Sequence, residues 1–432
     1  MSSTWVPDVS AETPFSLANI PFGIITTPND PAPHAAVAIG SHVLDLKVLS
    51  TYEKFTEIFP VLAGKAEVSS EPTLNAFAAL GRGVHREVRS IIQRILSADT
   101  TYPEILRDND ELREKALFPP RRFKNHLPVS IGDYTDFYAG YHHAYAAGVL
   151  FRGPEHALQP NYTHLPVGYH GRASSIVVSG TTIRRPNGQI LLDPTAEPKQ
   201  PITGPSRRLD MELELGCIIA TPNRMGSPIK VADAEDHIFG YVLLNDWSAR
   251  DIQAWEYVPL GPFNGKNFAS TISPWVVLAD ALEPFRTKPI ENKTEIQGYL
   301  KDNREDAVFD IELEVDIQTP EGDTTTICQT SSKNLMWSFP QMIAHHSLGG
   351  CPMNTGDLLG SGTISGPNPR ESGSLLELNK GGKEDIFLAG MDVRRFLKDG
   401  DSIIIRGIAG KPGQRVGFGE CVGRIETALP LI

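Results

Sequence analysis

Cysteine is scarce: the 432 residues hold four, Cys217, Cys328, Cys351 and Cys421, far apart and with no C-x-x-C pair. That excludes a disulfide framework and a thiolate zinc site, and it points to free thiols in a reducing compartment. No apolar run approaches the roughly 20 residues needed to span a bilayer, so no membrane partner is expected. An excess of basic residues is also lacking. The formal net charge is −12, which argues against the basic face that a nucleic-acid backbone requires. The first residues, MSSTWVPDVSAETPF, have neither the apolar stretch of a signal peptide nor the arginine-rich pattern of a presequence, so a cytoplasmic location is expected. Fixed-period repeats and low-complexity tracts are absent too, which excludes a solenoid or a disordered arm.

What is present reads as two domains, since a chain of this length exceeds the size at which one core stops growing. Residues 21 to 50 carry short strand patterns punctuated by Pro and Gly. Residues 73 to 97 give a helical pattern with Val84, Val88, Ile91, Ile92 and Ile95 on one side. Pro119-Pro120 is a connector, because neither residue donates a ladder hydrogen bond, and the boundary is expected near residue 125. Beyond it, MELELGCIIA, FGYVLLND, SPWVVLA, FDIELEVDIQT, TTTICQT, DSIIIRG and GECVGRIE alternate with Gly- and Pro-rich loops, which predicts a mainly β second domain with short helices.

In MELELGC, Glu212 and Glu214 are two residues apart on a predicted strand, so both project from one face. FDIELEVDIQT repeats the spacing with Asp310, Glu312, Glu314 and Asp316, but it runs into the turn at Pro320 and reads as an exposed structural hairpin. Asp246 ends the apolar run from Tyr241, where a buried carboxylate needs a partner. Asp136 follows Thr135, a candidate helix N-cap, and stands two helical turns before His143, which would place both on one helix face. If Asp136, Glu212, Glu214 and Asp246 converge, each close pair repels by about 4 kcal/mol at an effective dielectric of 20. A cation removes that cost, and an all-oxygen donor set favours Ca2+ or Mg2+ over zinc.

Ser248-Ala-Arg-Asp251 reads as a capping box opening a short helix over residues 249 to 257, on which Arg250, Gln253 and Tyr257 share a face and could meet a developing oxyanion. The loop Gly261-Pro-Phe-Asn-Gly265-Lys266 is one residue too short for a phosphate loop and lacks its Ser or Thr, so no nucleotide site is expected. Lys266 reads instead as a positive charge beside the acidic cluster. His345-His346 read as packing or capping residues.

Taken together, IGDYTDFY, HLPVGYHGRASS, DMELEL, NDWSARDIQAWEYVPLGPFNGK, TISPWVV and GDLLGSGTISG resemble the fumarylacetoacetate hydrolase family, most strongly from residue 126 onward. The resemblance implies an α+β, mainly β fold: a small N-terminal SH3-like barrel over residues 1–125, then a larger mixed β-sandwich roll over 126–432, assembled as a homodimer. It implies Asp136, Glu212, Glu214 and Asp246 as metal ligands, with Lys266 and Ser270 near a second metal position. His143 is similar to the family's general base and Glu377, in SLLEL, to the carboxylate that orients it. Arg250, Gln253 and Lys266 match the oxyanion-stabilising set, and Tyr138, Arg152, Tyr169, Tyr257 and Thr363 match positions that bind a small diketo acid. The implied reaction is hydrolysis of a carbon–carbon bond to give fumarate and acetoacetate, at the end of tyrosine and phenylalanine catabolism. Two rival readings are an acylpyruvate-type hydrolase or decarboxylase sharing the carboxylate cage, and a calcium-stabilised module without catalysis.

Overall fold

The computed structural model describes residues 3–120 and 122–431. Near the start of the chain, three apolar segments form β1 (Phe22–Thr26), β2 (His34–Ile39) and β3 (His42–Asp45). Gly40, at φ +59°, makes the tight turn between the last two. With β4 (Leu117–Phe118) and β5 (Lys124–His126) they complete an antiparallel sheet of order β4-β3-β2-β1-β5. The expected helix is α1 (Arg82–Leu96), which starts after Gly81 because that residue sits at φ +87°. It buries Val88, Ile91, Ile92 and Ile95 as the periodicity predicts, while Val84 is half-buried. His85 is buried on the same face, and burial pushes its imidazole pKa down to about 4.

The larger part of the chain is built on a central sheet containing β6 (Tyr134–Phe137), β7 (Gly168–His170), β8 (Ile176–Val178), β9 (Leu213–Ile219), β10 (Ile238–Asp246), β11 (Ser270–Ile272) and β12 (Leu358–Gly360). Their order is β7-β6-β12-β9-β10-β11-β8, and a short strand, Val277–Leu278, also pairs with β10. Both faces are covered, so every residue of β10 is buried and its sequence is apolar from Ile238 to Leu244, before Asn245 and Asp246 end it. One face packs Tyr134, Ile218, Val242, Leu244 and Leu358 against β1, β2 and α1. The other packs Leu213, Leu215, Leu243 and Phe137 against a second sheet whose strands include Glu312–Gln318, Thr324–Ser331 and Ser402–Ala409. The mixed, mostly stranded architecture with some helices is as expected.

The acidic strand at 312–318 does form a hairpin with 324–331. Its third acid departs from the exposed reading: Asp316 is buried and paired with Arg406 at 2.6 Å, because the strand is interior to its sheet and its neighbour supplies the cation. Among the described residues no helix is long and apolar enough to cross a membrane. Cys217, Cys328 and Cys421 are buried free thiols and Cys351 is an exposed one. His345 and His346 lie on the helix Phe339–Ser347, where they bond Tyr299 and Thr135 respectively.

Candidate active site

Strand register gathers the carboxylates. Asp136 pairs across β6 and β12 with Gly360, Gly360 pairs with Gly216 on β9, and Glu214 stands two residues before Gly216 on the same face. Asp246 ends β10 opposite Ser270. The face is the one that packs against the N-terminal elements, and the acids lie beyond the end of that apolar layer. Asp136, Glu214 and Asp246 thus bring three carboxylate oxygens within 4.8 Å of one another, all buried. Glu212, on the same side, is diverted. Lys266 Nζ donates to its Oε2 at 2.5 Å, and Arg250 Nη2 lies 2.8 Å from its Oε1. Lys266 Nζ also donates to Asp246 Oδ2 at 2.5 Å, and Ser270 Oγ donates to Asp246 Oδ1 at 3.2 Å. The Tyr169 hydroxyl donates to Asp246 Oδ2 at 3.4 Å.

The electrostatics are lopsided. Burial, followed by repulsion from neighbouring acids, raises the pKa of Asp136 and of Glu214 well above the usual carboxylate range, and burial raises Asp246 as well. For Glu212, burial works upward, but Lys266 and Arg250 outweigh it and hold the group below its ordinary value. Among the described residues, Asp136 Oδ1, Glu214 Oε1 and the Tyr134 hydroxyl are buried without a hydrogen-bond partner. Gly360 leaves the space between them open: a Cβ there would lie 2.8 Å from Asp136 Oδ1 and 2.8 Å from Glu214 Oε2. Orphaned acceptors around a side-chain-free gap fit a cation, and the oxygen-only donor set fits a hard one.

His143 is reached differently from the expected way. Asp136 lies on a strand, not at a helix start, because Tyr134–Phe137 pairs in parallel with Leu358–Gly360. The helix, α2 (Tyr141–Arg152), begins only after Gly140, so the two-turn register between Asp136 and His143 does not exist. His143 instead sits in the first turn of α2, and its Nδ1 lies 2.6 Å from Glu377 Oε2, 234 residues away. Both side chains are buried, each 4% exposed. The same Oε2 accepts from Ser365 Oγ at 3.0 Å and Ser374 Oγ at 2.7 Å. Burial pushes the Glu377 carboxyl upward, yet the charge and hydrogen bond of His143 with the two serine hydroxyls hold it below its ordinary value. Neither serine was singled out from the sequence, although Ser374 stands three residues before Glu377 in the spacing of a helix cap. His142, the adjacent histidine, packs edge-on against Tyr141 instead.

The second helix of the site is α3 (Arg250–Glu256). The expected capping box is absent: Ser248 Oγ donates to the Asp246 carbonyl, and Asp251 is claimed by Ser206 Oγ and the Arg207 amide. Arg250 is buried, and its Nη1 donates to Gln253 Oε1 at 3.3 Å, so these two share a face as predicted. Arg250 Nη2 has no hydrogen bond of good geometry among the described residues, despite its proximity to Glu212. Tyr257, at the C-cap of α3, is 51% exposed. Tyr138 stands edge-on to the His143 ring at 5.6 Å. Arg152 is pinned to the carbonyls of His156 and Ala157 at the end of α2. Thr363 is buried in the backbone run that passes Gly140. A cavity of about 160 Å3, lined by Tyr134, Tyr169, Asp246, Phe263, Lys266 and Ser270, opens onto the acids. A larger depression of about 490 Å3 beside Gln93 and Arg94 has no comparable group of charges.

Comparison with known proteins identifies the family. The family described as fumarylacetoacetase N-terminal matches residues 18–128, and that described as fumarylacetoacetate (FAA) hydrolase C-terminal matches residues 134–426. The chain is 58% identical over 431 residues to a fumarylacetoacetase of Aspergillus fumigatus, covering 99% of each chain. It is 47% identical to that of Homo sapiens and covers 98% of each chain. Among solved structures, a fumarylacetoacetate hydrolase from psychrophilic Exiguobacterium antarcticum shares the fold at a TM-score of 0.53 and 16% identity, covering 94% of this chain and 99% of that one. With both parts of the sequence matched and relatives of this identity spanning nearly all of it, the chain belongs to the fumarylacetoacetase family.

Proposed function

We propose that the protein hydrolyses a carbon–carbon bond of 4-fumarylacetoacetate, releasing fumarate and acetoacetate, the last step of tyrosine and phenylalanine catabolism. The observation that carries this reading is a buried histidine held by a buried carboxylate beside a carboxylate triad and two cations, in a chain closely similar to fumarylacetoacetases. Asp136, Glu214 and Asp246, with Glu212 at their edge, would hold a divalent cation, Ca2+ or Mg2+. Lys266 and Ser270 would stand at a second position beside Asp246. When bound, the cation supplies Lewis acidity toward the two keto oxygens of the diketo acid and so stabilises the enolate that leaves.

The protein groups do the rest. Glu377 accepts at Nδ1 of His143, which fixes the tautomer and leaves Nε2 as the basic nitrogen. His143 Nε2 takes a proton from water, the hydroxide oxygen bonds to the carbonyl carbon, and Glu377 stabilises the imidazolium. As the carbon–carbon bond breaks, its electron pair goes to the acetoacetate fragment, which takes the proton back. The Nη edge of Arg250, with Gln253 and Lys266, faces the tetrahedral oxyanion. Tyr138, Arg152, Tyr169, Tyr257 and Thr363 position the carboxylate and keto groups of the substrate. A homodimer in the cytosol, with an N-terminal domain ending near residue 125 and a catalytic domain after it, completes the proposal. The test is the loss of ultraviolet absorbance of fumarylacetoacetate on adding purified protein. No loss with metal-loaded protein would favour a calcium-stabilised module, and loss with acylpyruvates alone would favour the related hydrolases.

A further inference from the structure

One carboxylate outside the sets above touches both halves of the machinery. Asp210 precedes Glu212 by two residues, pairs across a short ladder with Ser248, and is 0% exposed. Its Oδ2 accepts from Arg250 Nε at 2.8 Å and from the Leu376 amide at 3.0 Å. Its Oδ1 accepts from the Leu375 amide at 2.8 Å and from the Met211 amide at 2.7 Å. Leu375 and Leu376 open the short helix Leu375–Leu378, whose third residue is Glu377. We propose that Asp210 is a positioning residue that fixes, in one stroke, the guanidinium of Arg250 and the backbone that presents Glu377 to His143.

Four N–H groups converge on two oxygens, so all the strong acceptor directions of the carboxylate are used and no rotation of its χ angles is free. Held through Nε, the guanidinium plane of Arg250 has its other edge turned toward Glu212, whose Oε1 lies 2.8 Å from Nη2, and toward Gln253, whose Oε1 accepts from Nη1. On the other side, the amides of Leu375 and Leu376 place the start of the helix, and Ser374 beside them donates to Glu377. Asp210 therefore ties the oxyanion cation and the base-orienting carboxylate to one point, although it touches no reacting atom.

This inference rests on the proposed roles of Arg250 and Glu377, and its test separates the two. In Asp210→Asn the amide NH2 must face either Arg250 Nε–H and Leu376 N–H, or Leu375 N–H and Met211 N–H, because donors stand on both sides. In metal-loaded, full-length protein, kcat should fall about 10²-fold, the usual cost of a misplacement near 1 Å. KM should change by less than about threefold and metal content not at all, the pattern of an interaction realised in the transition state. In an Arg250→Ala/Glu377→Ala background the same substitution should cost less than about threefold, since what it positions is gone. If the two single alanine variants keep full turnover, the reading of the site falls and this inference with it. If they are impaired but Asp210→Asn keeps wild-type kcat, or its cost is undiminished in the double background, the positioning role alone is overturned. Should Asp210→Asn not fold, Asp210→Glu, which keeps the charge and shifts it by one methylene, carries the same comparison. If neither folds, Asp210 is a folding residue and the proposal is overturned.

Discussion

Gly360→Ala isolates the proposed cation site from the rest of the protein. The added methyl would lie 2.8 Å from both Asp136 Oδ1 and Glu214 Oε2 and 3.1 Å from the Tyr134 hydroxyl. Each carboxylate must retreat by roughly half an ångström to reach ordinary van der Waals separation. Ligand distances to a hard cation tolerate only about 0.2 Å, so two of the three ligands move out of range. A loss of about 10- to 100-fold in metal affinity follows, or about 1.4 to 2.7 kcal/mol. Without metal the cost is small, because the obstacles are ends of side chains that repel each other and gain by separating. Titration calorimetry with Ca2+ and Mg2+, alongside thermal melts with and without EDTA, checks this. The melting temperature of chelated variant and wild type should agree within a few degrees, while the metal-induced rise shrinks. Wild-type affinity in the variant would refute the placement of the cation between these carboxylates. An equal loss of stability with and without metal would make Gly360 a packing residue instead.

Three further outcomes are expected. His143→Ala should retain metal and fold while turnover falls by roughly 10² to 10⁴, whereas His142→Ala, whose ring packs on Tyr141, should leave turnover near normal in the same absorbance assay. Glu214→Gln should lose bound metal by elemental analysis, because the triad loses one of its charges, whereas exposed Glu312→Gln should change neither metal nor stability by more than about 0.5 kcal/mol. Relative to metal-loaded protein, metal-free protein should gain stability as the pH falls from neutral toward about 5: Asp136 and Glu214 have folded pKa values raised above their unfolded ones, so the metal-free native state binds more protons across that window, while the opposing loss from buried His85 is common to both forms. By calorimetry, the gap in melting temperature between metal-loaded and chelated protein should narrow from pH 7.5 to 5.5, and a gap that widens would contradict the sign.

Local periodicity made some of this legible in the sequence. Glu212 and Glu214 project from one side because strand alternation is set by the nearest residues, and the buried face of α1 follows from spacing alone. What failed were readings that a distant segment decides. Thr135-Asp136 has the composition of a helix cap, yet its backbone is claimed by Leu358–Gly360 in a parallel ladder, and a cap signal of about 1 kcal/mol loses to a strand buried on both faces. Ser248 and Asp251 have the capping-box spacing, but the Asp246 carbonyl and the Ser206–Arg207 segment hold their side chains, contacts without any local signature. Glu212 and Glu214 look equivalent in MELEL. They part company only because Lys266 and Arg250, from another element, reach the first and not the second, so that one is held ionised while the other is driven toward its neutral form unless a cation arrives. The His143–Glu377 pair is the extreme case: no pattern joins His143 to a glutamate 234 residues later, and only family resemblance named it in advance. The two serines on the Glu377 oxygen and the four amide and guanidinium donors on Asp210 follow the same logic, since their partners come from loops and strand ends that only the folded sheet brings together.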